Sequence, residues 1–510
     1  MTGLGEKVFL HLDTPTEDAP ISDQQRLQAA LLEKGYDNIQ IPLQILQKLY
    51  PLCRQESGLT VTMVFRDDAA VVAQIEQGDT IAQHYGLAVD YGSTTIHMQL
   101  VDLRSGAVIG LEKVENGQIQ YGTDILTRIT YSLEDPSHVD DLQKVTVQTF
   151  HDLLNRLTES TGIDASNLPL MVLSGNTTMI HFLLGLNAWT VFAAPFAPVT
   201  TDPGWFWGKE LGMEFSGLVY IMPAASNYIG GDIISGLLTL DMRKSDDITM
   251  FFDIGTNGEL VLGNRDWIVA GAGAAGPALE GYISRYGMRA GPGAIDHVQI
   301  VDGKLTYTTI GSESPIGICG SGIIDLLAQM LLSGWMDISG RLQPEASDRI
   351  IYLVEEQQYA VVYATWADGV PLFFTQTDID QYCDTKAAAF TMIECLMESV
   401  GCTEWDIARC HLSGAFPAHS DLESAITIGM FPDLPRDRYS CTANTSLDGA
   451  RALLLNRELM EEIQNITGNM YCIQFASIPD FLVRMQAAKF IPHTDMNRFP
   501  TILDRLAERR

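Results

Sequence analysis

The chain has 510 residues, enough for roughly two to four domains, and its 46% apolar and 8% aromatic content suits a globular protein with a sizeable core. It carries 64 acidic against 32 basic residues, a net charge of −32. Such a surface repels nucleic-acid backbones and anionic lipids, so neither is expected as a partner.

The N-terminus, MTGLGEKVFLHLD, has no basic-then-apolar leader. No run of about 18 uncharged apolar residues follows, and a cytoplasmic protein is expected. Eight cysteines are dispersed without a Cys-x-x-Cys pair, and the ten histidines show no His-Glu-x-x-His spacing. One loop must aim two thiolates at one metal to hold a cluster, so no iron–sulfur cluster is expected in this chain.

Residues 1–86 read as a small α/β domain. VFLHLD is a strand, QQRLQAALLEKGY is an amphipathic helix stopped by Gly35, and LTVTMVF is a strand alternating Leu59, Val61, Met63 and Phe65. From residue 87 the pattern changes. LAVDYGSTT is an apolar strand ending in an Asp90-x-Gly92 turn, and IHMQLVDL and AVIGLEKV complete a meander. VLSGN (172–176) is a strand that leads through Asn176-Thr177-Thr178 into an apolar helix. Helix capping explains Asn176 as well as a role beside a transferred phosphate does. A further helix carries Ile233, Leu237 and Leu240 after Gly230-Gly231-Asp232, where Asp232 is a candidate to line a cleft.

The same grammar then returns. TMFFDIGTNGELVLG is a strand, an Asp253-x-Gly255 turn and a strand, and WIVAGAG completes the second meander. HLSGAF (411–416) repeats the Leu-Ser-Gly strand end. Between them, GICGSG leads into an apolar helix, with Cys319 just before its start read as a buried structural thiol. The glycine-rich run 271–281 is either close helix packing or a cleft wall. The second copy is longer, and a strand-rich insertion at about 296–376 accounts for the excess. This organises the chain as 1–86, a first lobe 87–245, a second lobe 246–475 and a tail 476–510, with two similar α/β lobes facing one another.

A phosphate chain needs backbone N–H donors close by, little side-chain bulk and hydroxyls within reach. Gly92-Ser93-Thr94-Thr95 and Gly255-Thr256-Asn257-Gly258 both offer these. Asp90 and Asp253, at strand ends, suit a magnesium ion held through water or an oriented attacking water. Glu259 points from the second hairpin toward the same place. Ser413-Gly414-Ala415 leaves room for an adenosine. One such turn is commonly only a turn, but two in matching contexts point to an ATP cleft. The catalytic candidates are Asp90, Asp253, Glu259 and Asn176. The remaining hairpin residues, Ser413–Ala415, Gly231 and Asp232 are the binding candidates.

The segments YGLAVDYGSTTIHMQLVDL, ENGQIQYGTDILTRI, VLSGNTTMIHFLLGL, NYIGGDIISGLL, FFDIGTNGELVLG, GICGSGIIDLL, FTQTDIDQYCDTKAAAF and LSGAFPAHSDLESAITIGMFPDLP run in this order over about 87–475. Together they resemble the reductive activators of corrinoid enzymes, members of the acetate and sugar kinase, heat-shock chaperone and actin superfamily. Residues 1–86 resemble the linker region those proteins carry upstream. The resemblance implies a two-lobed actin-like, ribonuclease-H-like ATPase fold with a small N-terminal α/β domain. It implies an activator that binds a corrinoid protein of a methyltransferase system and uses ATP hydrolysis to promote reduction of cob(II)alamin to cob(I)alamin. By position, Asp90 with Gly92–Thr95 and Asp253 with Gly255–Glu259 resemble the two phosphate elements, and Ser413–Ala415 the adenosine element.

Typical members begin with a ferredoxin domain whose four cysteines hold a two-iron cluster. This sequence has no such cysteine set, so a separate ferredoxin-like donor is expected to supply the electron. A homodimer is left open. Two alternatives share the cleft: ATP-dependent remodelling of a cofactor-bearing partner, and a metabolite kinase. The kinase needs a strand-end aspartate to deprotonate its substrate hydroxyl, and the position after Leu-Ser-Gly holds the amide Asn176.

Overall fold

The computed structural model describes residues 2–255, 257–273, 283–414 and 420–508. They form two compact units, Met1–Leu240 with Thr445–Asn469, and Asp241–Asn444 with Met470–Arg510. The segment Thr445–Asn469 therefore belongs with the first unit, whereas the sequence reading runs the second lobe from 246 to 475. Packing is the reason. Helix Thr445–Leu455 buries Leu447, Ala450, Leu453 and Leu454 and lies on the first unit's sheet and on helix Gly231–Leu237.

The first unit opens with a four-stranded sheet in the order Gly5–Leu10, Leu59–Arg66, Ala69–Gln77, Ile39–Gln40. Helix Asp23–Glu33 starts at a capping box between Ser22 and Gln25. With helix Leu43–Leu52 it closes a core that includes Leu27, Leu31, Ile45, Leu49, Val61 and Met63.

A six-stranded sheet follows in the order Val108–Glu115, Thr95–Asp102, Tyr85–Tyr91, Leu170–Gly175, Leu218–Ile221, Gly204–Trp207. Its first three strands are the antiparallel meander, and Leu170–Gly175 runs parallel to Tyr85–Tyr91. Leu87, Val89 and Tyr91 enter the core beneath helix His138–Thr161, where Tyr91 meets Phe150 edge-on at 5.3 Å. Side chains alternate along a strand, so Ala88 and Asp90 take the opposite face, toward helix Thr445–Leu455.

The second unit repeats the plan. Its main sheet runs Tyr439–Thr442, Ile407–Ser413, Ile248–Ile254, Gly258–Gly263, Ile268–Gly273, Met470–Ile473. Met250, Phe252 and Ile254 enter the core, which again leaves the aspartate on the other face. Helix Gln376–Ser399 packs on this meander, as His138–Thr161 does on the first, and both helices are 24 residues long. Between meander and helix lie two three-stranded sheets, built on Ala294–Val301 and Gln358–Thr365, and helix Gly320–Ser333. No helix among the described residues is long and apolar enough to cross a membrane.

Helix Thr445–Leu455 sits so close to helix Gly231–Leu237 that a Cβ on Gly449 would lie 1.8 Å from the carbonyl oxygen of Ser235. An alanine there gains about 1 kcal/mol in helix propensity, but overpacking against rigid backbone costs roughly 1–3 kcal/mol and more in severe cases. The clash should win. Gly449→Ala is expected to lower the unfolding free energy by roughly 2 kcal/mol, as read by urea denaturation; an unchanged midpoint would contradict the close approach.

Burial also sets an acid limit. His84 in the first unit is held down to about 4, first by burial and then by the nearby Lys7. His493 in the second is held to about 4 by burial, with Arg498 and Lys386 beside it. Both imidazoles are neutral in the fold, while the unfolded chain protonates them below about 6.5. The contribution of these two imidazoles to stability is therefore full above pH 6.5 and falls as the pH drops toward 4. Thermal midpoints measured across this window should decline, and His84→Gln should make the decline shallower.

Candidate functional site

Each hairpin strand places its aspartate beside the serine of a Leu-Ser-Gly strand. In the first unit Asp90 pairs with Ser174 and Tyr91 with Gly175; in the second Asp253 pairs with Ser413. The partner across the hairpin differs, being His97 for Asp90 and Glu259 for Asp253.

The first hairpin is tightly turned. A Cβ on Gly92 would lie 2.5 Å from the carbonyl oxygen of Thr95. The loop is tied down by Asn116, which is fully buried. Its Nδ2 donates to the Gly92 carbonyl at 2.9 Å, its backbone N–H donates to the Thr94 carbonyl at 2.8 Å, and its Oδ1 accepts from Gln118 N–H at 3.0 Å. Gln118 Nε2 reaches Thr146 Oγ1 at 2.7 Å and Tyr91 Oη at 2.9 Å, and Gln118 Oε1 accepts from Arg128 at 3.3 Å. Burial pushes the Tyr91 phenol up and the Arg128 guanidinium down. The sequence reading does not single out Asn116, Gln118 or Arg128. The Asn116-Gly117 pair after the meander is the signal that was there to use.

Asp90 retains 15% side-chain exposure. Its Oδ1 accepts from the Ser446 hydroxyl at 2.8 Å, and its Oδ2 lies 3.6 Å from His97 Nδ1, beyond hydrogen-bond range. Asn176 caps helix Thr177–Leu183 by accepting from Thr178 N–H at 3.0 Å, so the capping half of its expectation is realised. Gly230 passes over it, with room for no Cβ: the nearest atoms would be Asp232 Oδ1 at 2.6 Å and Asn176 Cα at 2.7 Å. Asp232 Oδ1 also accepts from Ile233 N–H. Gly231 is buried against Met222, and its carbonyl accepts from Ser174 Oγ at 2.9 Å. Asp90, Ser174, Asn176, Gly231 and Asp232 thus gather at one end of the first unit's sheet.

In the second unit Ser413 Oγ donates to Asp253 Oδ2 at 3.3 Å. Gly414 has φ +107, and a Cβ there would lie 2.3 Å from the Ile254 carbonyl oxygen, so only glycine fits. Gly255 N–H closes the turn onto the Asn257 carbonyl at 2.9 Å. Glu259 is 7% exposed and stands opposite Asp253 on one face of the hairpin. Thr256, Ala415 and 274–281 of the glycine-rich run lie outside the described residues. Cys319 is buried at the start of helix Gly320–Ser333, with its Sγ 3.3 Å from the Ile295 carbonyl.

Two units with the same meander, the same parallel strand and an aspartate at the same register define a duplicated actin-like protein with a phosphate-type turn in each unit. Comparison makes this specific. The C-terminal ASKHA domain of RACo matches residues 247–503, the RACo middle region matches 85–245, and the RACo linker region matches 2–82. The chain belongs to the RACo family. The corrinoid activation enzyme RamQ of Eubacterium limosum is 31% identical over 412 residues, 78% of this chain and 69% of that protein. A Methanosarcina barkeri protein described as a [Co(II) methylated amine-specific corrinoid protein] reductase is 23% identical over 420 residues, 75% of this chain and 72% of its own length. A solved structure of a reductive activator for corrinoid, iron–sulfur protein aligns with a TM-score of 0.86 at 35% identity, covering 98% of this chain and 81% of that one.

The tether on the first hairpin can be tested directly. Asn116→Ala leaves the Gly92 carbonyl without its side-chain donor, a loss of about 1–3 kcal/mol. Amide hydrogen exchange over residues 91–95 should quicken while the strands keep their protection; unchanged exchange there would remove Asn116 from this role.

Proposed function

We propose that this chain is an ATP-dependent activator that binds a corrinoid protein of a methyltransferase system and promotes reduction of cob(II)alamin to cob(I)alamin. The observation that carries the reading is the repeated register of aspartate and serine, Asp90 with Ser174 and Asp253 with Ser413, in a chain of the RACo family. The relatives named for corrinoid activation and corrinoid-protein reduction support the substrate class.

In this reading Gly92–Thr95 and Gly255–Gly258 bind phosphate oxygens through backbone N–H groups and hydroxyls. Ser413 and Gly414, with Ala415, pass the adenosine. Asp90 and Asp253 hold magnesium through water. The donor set fits such an ion, because Asp253 and Glu259 stand opposite each other on one face of the hairpin and offer the carboxylate oxygens a hard cation takes. When bound, magnesium screens the phosphate charge. Asp253 and Glu259 orient the attacking water, and Asn176 stands beside the transferred phosphate. ATP then shifts the chain between states that bind the corrinoid protein differently.

The electron comes from a separate ferredoxin-like donor.

The test combines the chain with a cob(II)alamin-loaded partner, a low-potential reductant and ATP, followed by visible spectroscopy. Cob(I)alamin should rise only with ATP, and phosphate should be released without a phosphorylated acceptor. Asp253→Ala should slow hydrolysis about a hundredfold and abolish the spectral change. A cob(I)alamin yield independent of ATP would sink the reading.

A further inference from the structure

The two aspartates occupy equivalent places but are not held alike. In the second unit the register partner does the work: Ser413 Oγ donates to Asp253. In the first unit the equivalent serine is committed elsewhere, since Ser174 Oγ lies 2.9 Å from the Gly231 carbonyl as its donor. Asp90 is served instead by Ser446, at 2.8 Å. Ser446 comes from a different part of the chain and has no counterpart in the Leu-Ser-Gly grammar.

We propose that Ser446 is a positioning residue for Asp90: its hydroxyl sets the orientation in which the Asp90 carboxylate meets the magnesium–nucleotide. This rests on the reading of Asp90 as the carboxylate of the first phosphate element. Proton accounting supports the direction of the bond. Ser446 Oγ and Ser174 Oγ are 3.1 Å apart and have one proton each. A carboxylate can only accept, so the Ser446 proton goes to Asp90. The Ser174 proton goes to Gly231 or to Ser446 Oγ, and the latter would polarise the Ser446 hydroxyl further.

The scaffold holds Ser446 on three sides. Ser446 is 5% exposed and Ser174 fully buried. The Ser446 carbonyl accepts from Ser235 Oγ at 2.7 Å. Gly449, one turn on, brings its helix against Ser235 with no space for a side chain. Ser446 is the second residue of its helix, so no preceding turn offers its hydroxyl a carbonyl. The hydroxyl is aimed across the sheet end at a partly exposed carboxylate.

The experiment compares Ser446→Ala, Ser446→Cys, Ser446→Thr, Ser413→Ala and Asp90→Ala with the wild-type chain. Calorimetry measures affinity for a non-hydrolysable ATP analogue with and without magnesium, beside unfolding midpoints and the kcat and KM of ATP hydrolysis. Ser446→Ala should lower the unfolding midpoint modestly, because a buried hydroxyl and its hydrogen bond to Asp90 are lost. It should lose about tenfold of the magnesium-dependent affinity while magnesium-free binding stays unchanged. Its KM for magnesium–ATP should rise in step with that loss, and its kcat should fall. Threonine, which keeps the hydroxyl, should restore both values, and cysteine, a weaker donor, should fall between. If the alanine variant does not fold, the cysteine and threonine pair carries the same comparison. Wild-type magnesium dependence in Ser446→Ala, with Asp90→Ala impaired, would overturn the role of Ser446 alone. Wild-type behaviour in Asp90→Ala as well would overturn the assignment of Asp90 on which it rests.

Discussion

The parallel pairing of each hairpin strand with a Leu-Ser-Gly strand is the constraint on which both candidate sites depend. It sets Asp90 beside Ser174 and Asp253 beside Ser413 in the same register. Period-2 alternation then does the rest. Leu87, Val89 and Tyr91 on one strand, and Met250, Phe252 and Ile254 on the other, are committed to the cores, so the aspartates must face away from them. A slip of one residue would bury both carboxylates and expose both sets of apolar side chains. The cores therefore fix the chemistry of the strand ends without contributing an atom to it.

The two halves then diverge in how each strand end is finished. The first hairpin is braced from below by the buried Asn116–Gln118–Tyr91–Thr146 hydrogen-bond set. The second closes through its own backbone at Gly255 and Asn257, and a glycine at φ +107 passes over the strand end. Asp90 faces an imidazole across its hairpin and Asp253 faces a carboxylate. Two similar folds thus present different electrostatic surroundings to similar turns.

The resemblance seen in the sequence segments and the family match over residues 2–82, 85–245 and 247–503 agree in order, and the match runs on to 503 where the segments stop at about 475. The alternation in LAVDYG and MFFDIG, and the Leu-Ser-Gly strand ends, were legible because strand period and turn chemistry are local. The helix Gln376–Ser399 does not announce its first turn in the same local way. Its start is set by a capping box between Thr375 and Asp378 that sits among strand-like residues.

By itself the sequence determined the repeat, the identity of the turn residues and the family, since each is written in short contiguous segments. Tertiary structure alone decided which distant residues complete those turns. Thr445–Asn469 is flanked on both sides of the chain by second-unit segments but folds with the first unit, because its apolar face and Gly449 fit helix Gly231–Leu237 and the sheet beside it. That choice delivers Ser446 to Asp90 across 356 residues. No periodicity encodes such a meeting, because it depends on the shape of a packed surface and not on the spacing of residues along a strand or helix.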